Sequence, residues 1–527
     1  MTLTPVAPES LHIYDTTLRD GAQQEGLRLT VSDKLRIAAL LDELGVTHIE
    51  GGWPGANPND TAFFAAAAEQ LNLRSSTLVA FGSTRRPGGK AADDPLVAAL
   101  RDAQTSHICL VAKSHDRHVE QALRTTLDEN LEMVRDTVSH LVSEGKRVFV
   151  DCEHFFDGFR RNEAYSLEVV RAAAEAGAEV VVLCDTNGGM LPSWMGDVVS
   201  SAAAIGVDLG IHCHNDTGCA VANSMAAVEA GAMHVQGTIN GYGERTGNAD
   251  LTTVVANLQL KYGWEPLGGR GLESLTHISH AIAEIANQPA HARQPYVGHS
   301  SFAHKAGLHA SAIRVDPNLY QHIDPALVGN DMRMLISDMS GRANIQIKAE
   351  QLGFELPDRE TAAKVAEVVK DREANGYSYE ASDASFELLM RDILGSLDKP
   401  FEVGSWEVAT RHAALNAPGD SSATVTMTVD GEEKTVTAEG NGPVNALDSA
   451  LREVLSHGFE QVLHYRLSDY RVRILEAGYG TDAVVRVLID MGTTDHTWTT
   501  VGVGTNVIEA SWEALADGYL YGLVKGL

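Results

Sequence analysis

At 527 residues the chain is too long for one compact core, so two or three domains are expected. Lys and Arg number 41 against 71 Asp and Glu, a formal net charge of -30 that repels phosphate backbones and anionic lipid, so neither a nucleic-acid nor a membrane partner is expected. The five cysteines, Cys109, Cys152, Cys184, Cys213 and Cys219, form no C-x-x-C pair and read as reduced side chains of a cytoplasmic protein.

The first 250 residues alternate short β-branched runs with Ala/Leu-rich helical stretches. Strands are expected over 12–15, 47–50, 76–81, 107–111, 147–151, 179–184, 209–212 and 234–239, with helices such as 32–44, 130–142 and 167–176 between them. Eight such units match the length of a (β/α)8 TIM barrel, with a doubly wound open sheet as the alternative, since periodicity does not show closure. No export signal precedes the first strand, and no run of about 18 apolar residues suggests a membrane span.

Polar residues gather where these strands end. The first runs into Asp15-Thr16-Thr17-Leu18-Arg19-Asp20-Gly21, the second into Glu50-Gly51-Gly52-Trp53-Pro54, and the fifth into Asp151-Cys152-Glu153-His154. The sixth ends at Asp185-Thr186-Asn187, the seventh at His212-Cys213-His214-Asn215-Asp216, and the eighth leads into Gly243-Glu244-Arg245-Thr246-Gly247-Asn248. In a barrel all of these ends share one mouth. No G-x-G-x-x-G and no G-x-x-x-x-G-K-[ST] occurs, which disfavours a nicotinamide enzyme or a P-loop NTPase.

From about residue 263 to 400 the pattern turns mostly helical, with stretches at 274–286 and 359–372. It includes a histidine-dense segment holding His299, His304 and His309, without strand or zinc-finger spacing. From about 401 short strands return, at 423–429, 433–439, 470–476, 483–490 and 497–503, with helices at 445–455 and 507–523. An echo at a separation of 64 residues marks a duplicated β-β-β-α unit. Three domains are therefore expected: a barrel over 1–270, a helical linker over 271–400, and a regulatory or dimerisation module over 401–527.

His212 and His214 stand at i and i+2, so a strand turns both imidazoles to one face. An isolated H-x-H is more often a hydrogen-bonded pair than a metal site. Asp20 changes that balance, because strands one and seven of a barrel are separated only by strand eight. The set Asp20, His212 and His214, with Asn248 as a weaker oxygen ligand, leaves open positions and describes a catalytic divalent metal: Mn, Zn, Co or Mg. Arg19 offers a donor fork for an oxyanion or a carboxylate, Glu153 a carboxylate for proton transfer, and Thr186 a hydroxyl for a substrate carboxylate. Each also has a plainer reading, as a salt bridge across the strand ends for Arg19, a rim salt bridge for Glu153 and a helix cap for Thr186.

These motifs together resemble the alpha-isopropylmalate, homocitrate and citramalate synthase family of metal-dependent barrel enzymes, which also includes hydroxymethylglutaryl-CoA lyase. Met339-Ser340-Gly341-Arg342-Ala343-Asn344 and the duplicated C-terminal module extend the resemblance over the whole chain. The resemblance implies a Claisen-type condensation of acetyl-CoA with a 2-oxo acid and water, in a homodimer. It assigns Asp20, His212, His214 and Asn248 to the metal, Thr186 to the substrate carboxylate, and Glu153 with His309 to the acid–base pair. His309 would arrive from the linker of a partner subunit. Asn318 and Tyr320 resemble positions that close over the site, although the intervening stretch is one residue longer here. Glu50-Gly51-Gly52-Trp53-Pro54-Gly55-Ala56-Asn57-Pro58 resembles the citramalate branch, where Trp53 would narrow the pocket to the methyl of pyruvate; the isopropylmalate branch, using 2-oxoisovalerate, is the alternative. The C-terminal module implies an amino-acid effector, isoleucine in that branch. A carbon–carbon lyase and a non-catalytic metal sensor are the readings from other classes.

Overall fold

The computed structural model describes residues 11–412, 420–475 and 482–527. The chain divides into two compact units, Met1–Phe302 with Ile323–Asp331 and Ala303–His322 with Met332–Leu527.

The first unit is a closed barrel of eight parallel strands in sequential order. These are β1 (His12–Asp15), β2 (His48–Gly52), β3 (Thr77–Ser83), β4 (His107–Lys113), β5 (Arg147–Glu153), β6 (Val180–Asp185), β7 (Asp208–Cys213) and β8 (His234–Gly237). Closure is direct, because β1 pairs with β2 on one side and with β8 on the other, His12 opposite His234. The open-sheet alternative is thereby excluded. Helices form where caps define them: Thr30 and Asp33 make a capping box for Val31–Leu44, and Gly45 ends that helix at φ 96°.

Alternation along the strands builds two apolar layers. Outward positions such as Ile13, Ile49, Ile108, Val148 and Val235 join the helices in one core. Inward positions Tyr14, Val79, Phe81, Cys109, Phe149, Val180, Val182 and Cys184 form a second core inside the barrel. Four strands run two residues further towards the mouth than the sequence suggests, β2 to Gly52, β3 to Ser83, β4 to Lys113 and β5 to Glu153, and the polar Lys113 and Glu153 keep the ladder between the last two. β8 is shorter than expected, since Asn240 at φ 62° turns the chain after Gly237.

In the second unit, helices Arg342–Gln351, Arg359–Ala374 and Asp383–Ile393 pack around Tyr379 and Phe386. Two three-stranded antiparallel sheets follow, each ending in a helix. One is Phe401–Arg411, Asp420–Val429 and Glu432–Gly440 with helix Pro443–Ser456; the other is Arg466–Ile474, Val485–Gly492 and Thr497–Gly504 with helix Val507–Lys525. Val425, Met427, Leu447, Leu451, Val487, Ile489 and Leu515 share one core, so the duplicated β-β-β-α unit is present. Strand Phe401–Arg411 escaped the sequence reading because most of it is exposed and a register shift between Val403 and Ser405 breaks the alternation of Phe401, Val403, Trp406 and Val408. The expected strand at 470–476 begins earlier, at Arg466, and its last residue lies outside the described residues.

Asp42 ties helix Val31–Leu44 to the segment entering β3: its carboxylate accepts the backbone N–H groups of Arg74, Ser75 and Ser76 at 2.8–3.0 Å. Burial opposes its ionisation, but these donors outweigh burial and hold its pKa below the usual carboxylate value. A depressed pKa contributes stability above the unfolded value that is lost as pH falls through the folded one. Asp42→Asn should therefore cost about 1–3 kcal/mol in denaturant unfolding near neutral pH. The gap to wild type should hold from about pH 8 to about pH 5 and narrow below about pH 4. A gap that stays constant through the acid range would contradict this assignment.

Candidate active site

The mouth of the barrel is built on Glu50. Fully buried at the inner wall, it accepts hydrogen bonds from Tyr14 Oη, from Thr16 Oγ1 at 2.6 Å and from Arg19 Nε at 2.5 Å. The Arg19 Cζ stands over the Phe81 ring, 3.8 Å from its centre, and Nη1 donates to Asp20 Oδ2 at 2.8 Å. Those bonds use Nε and Nη1, leaving Nη2 for a ligand.

Asp20, in the turn after β1, stands with His212 and His214 from the end of β7, with ligand atoms all within 4.8 Å of one another. Asn248 donates Nδ2 to Asp20 Oδ1 at 3.0 Å and to the Tyr242 carbonyl at 2.9 Å. The amide thus supports Asp20 with its nitrogen, and the oxygen, the atom expected to ligate, has no protein partner. Glycines make this approach feasible. A Cβ on Gly243, at φ 146°, would meet Asn248 Nδ2 at 2.3 Å, and one on Gly247, at φ 85°, would meet the Gly241 carbonyl at 1.9 Å.

Gln236 sets the His212 tautomer. Its Nε2 donates to Asp151 Oδ1 at 2.9 Å, so its Oε1 must accept Nδ1–H of His212, also at 2.9 Å. The lone pair of His212 is then on Nε2, 3.8 Å from Asp20 Oδ2. Burial, with Glu50 nearby, pushes the Asp151 carboxyl up, and burial beside His212 draws His214 down to about 4. Burial also acts on Asp20, but Arg19 and the two imidazoles override it and hold the carboxylate below the usual range.

These residues fit a divalent cation. One carboxylate and two imidazoles converge, and both His214 Nδ1 and Asn248 Oδ1 are buried without a partner. A mixed O,N,N set of this kind suits Mn, Zn, Co or Mg.

A cavity of about 270 Å³ opens above the trio. Trp53, Phe81, Val111 and Cys184 form an apolar wall, and Arg19, Glu153, Thr186, His212 and His214 line the rest. Trp53 meets Phe81 edge to face, ring centres 5.5 Å apart. The Glu153 side chain is 25% exposed and pairs with Lys113, its register partner on β4. Thr186 Oγ1 accepts the His154 N–H at 2.8 Å, keeping its own proton to donate, and Arg245 fixes the loop through the Thr186 carbonyl and Asp216.

The remaining predicted residues belong to the second unit. His309, on helix Gly307–Ile313, stacks on Tyr320 with ring centres 4.1 Å apart. Asn318 donates Nδ2 to Asp316 at 3.0 Å. Sequence reasoning placed Glu50 at the mouth without giving it a role, and missed Gln236 and Lys113 as parts of the site. Glu50 and Gln236 occupy inward strand positions whose partners emerge only with the barrel closed, and Lys113 lay beyond the expected end of its strand.

The comparisons agree with this architecture. Residues 10–281 match the HMGL-like family, 296–376 the homocitrate synthase post-HMGL domain-like family, and 380–523 the LeuA allosteric (dimerisation) domain. An (R)-citramalate synthase of Streptomyces coelicolor is 59% identical over all of this chain and 99% of its own length. One from Synechocystis sp. is 47% identical over 98% of this chain and 96% of its own. A 2-isopropylmalate synthase of Methanocaldococcus jannaschii is 31% identical over 97% of this chain and 94% of its own. The chain belongs to the isopropylmalate, homocitrate and citramalate synthase family of HMGL-like barrel enzymes.

Proposed function

We propose that the chain is an (R)-citramalate synthase, an acyltransferase condensing acetyl-CoA with pyruvate and water to give citramalate and CoA. The observation that carries this reading is the small cavity walled by Trp53 and Phe81 directly over Asp20, His212 and His214. Full-length likeness to several (R)-citramalate synthases, at 42–59% identity, supports it over the isopropylmalate alternative.

Asp20, His212 and His214, with Asn248 supporting Asp20, would hold a divalent ion, which would supply Lewis-acid chemistry for polarising the 2-oxo acid. The chain's own residues do the rest. Thr186 donates its hydroxyl to the substrate carboxylate. Glu153, with His309 arriving from the linker of a partner subunit, is assigned to the acid–base pair, which takes a methyl proton from the acetyl thioester and returns one to the forming alkoxide. Arg19, locked by Glu50, keeps Nη2 for the oxyanion without reorganising. Hydrolysis of the thioester then releases CoA and makes the condensation irreversible. Asn318 and Tyr320 belong to the substrate-binding set.

The activity is assigned to residues 1–270, with 271–400 contributing to the site and 401–527 regulating it. The matched LeuA allosteric (dimerisation) domain supports a homodimer and an amino-acid effector, isoleucine for this reaction. A cytoplasmic setting accords with five free cysteines and with the finding that no helix among the described residues is long and apolar enough to cross a membrane.

The test is release of free CoA thiol from acetyl-CoA, with pyruvate, 2-oxoisovalerate or no keto acid added. Release with pyruvate and little with 2-oxoisovalerate is expected; the reverse order would favour the isopropylmalate reading, and no release with either would reject both. Trp53→Ala should lower the kcat/KM ratio of pyruvate to 2-oxoisovalerate about 10-fold or more, because it removes the wall that excludes the larger group. An unchanged ratio would remove Trp53 as the size filter.

A further inference from the structure

The opposite end of the barrel holds a second convergence of histidines. His12, His48 and His234 occupy inward positions near the starts of β1, β2 and β8, and their ligand atoms also lie within 4.8 Å of one another. We propose that these three side chains form a second, non-catalytic metal site on the barrel floor, taking one borderline transition-metal ion, zinc in the first instance.

The tautomer of His48 carries the first part of the argument. Thr47 Oγ1 spends its proton on the Ile13 carbonyl at 2.8 Å, so it can only accept from His48 Nδ1, 3.0 Å away. Nδ1 therefore holds the proton and Nε2 the lone pair. This is how a neighbour fixes a ligating imidazole, and it parallels the action of Gln236 on His212 at the mouth.

Unsatisfied atoms carry the second part. The Nδ1 atoms of His12 and His234 are buried without any partner, and His234 is fully buried. Its other ring nitrogen lies 3.5 Å from Gln236 Nε2, at the limit of a hydrogen bond. Two orphaned imidazole nitrogens in one barrel interior call for an explanation. A shared cation supplies one.

Chemistry selects the ion. Three imidazoles without a carboxylate suit zinc, cobalt, nickel or copper and disfavour magnesium and calcium. Burial lowers the pKa of all three rings, so they are neutral and ready to ligate at neutral pH. Tyr14 and Phe149 stand against them, with Phe149 5.1 Å from both His48 and His234, giving a rigid apolar shell. Zinc–nitrogen bonds of about 2.0–2.1 Å place ligand atoms about 3.3 Å apart, so binding would draw these atoms, now within 4.8 Å of one another, inward. The location suggests the role. β8, β1 and β2 are consecutive neighbours across the seam where the first and last strands meet, so one ion would clip the barrel shut.

The test uses the full-length Asp20→Asn/His214→Gln protein, which lacks the mouth site, stripped with chelator and titrated with zinc. One zinc bound per chain, raising Tm by about 2–4 °C or more, and loss of both on adding His48→Asn, is the expected result. No zinc bound, or one zinc that survives His48→Asn, would overturn the proposal. Should the His48→Asn protein fail to fold, zinc-edge anomalous scattering from wild-type crystals soaked in zinc decides. A peak among His12, His48 and His234 supports the site, and its absence there overturns it.

Discussion

The candidate site depends on one buried carboxylate. Glu50 sits fully inside the barrel and is tolerable there only because Tyr14, Thr16 and Arg19 all donate to it. That network does more than satisfy a charge. It holds the Arg19 guanidinium over the Phe81 ring and directs its remaining donors to Asp20 and the cavity. Removing one member of such a buried pair costs about 3–5 kcal/mol, so the geometry of the mouth is enforced by the stability of the barrel wall.

The same logic continues down the barrel. Asp151 fixes Gln236, Gln236 fixes the His212 tautomer, and His212 presents its lone pair beside Asp20. A barrel interior is ordinarily filled with branched apolar side chains. Here buried acids, an amide and histidines occupy several of those places, at a cost in desolvation offset only where each polar atom finds a partner. Where it does not, as at His214 Nδ1 and Asn248 Oδ1, the orphaned atoms suit an external cation.

Much of this was legible in the sequence. The period of two in His212-Cys213-His214 announced a shared face, and the polar strand ends announced a common mouth. What stayed hidden depends on registration between strands. Lys113 and Glu153 are partners because β4 and β5 align them, and no local pattern in either segment says so. Gln236 is a single amide in an apolar strand, meaningful only once Asp151 and His212 face it from other strands. The floor histidines were visible near the starts of their expected strands, yet periodicity does not tell which starts lie close together across a closed barrel. Strand Phe401–Arg411 was missed for a local reason, since the register shift between Val403 and Ser405 puts Phe401 and Val403 out of phase with Trp406 and Val408.

On the proposed reading, Asp20, His212 and His214 hold a divalent ion with open positions for a 2-oxo acid. The most direct measurement is the electron paramagnetic resonance spectrum of the manganese-loaded protein with pyruvate labelled with oxygen-17 at its keto and carboxylate oxygens. Line broadening relative to unlabelled pyruvate, absent in the Asp20→Asn protein, is the predicted result. Tightly bound manganese whose lines are indifferent to the label would contradict it.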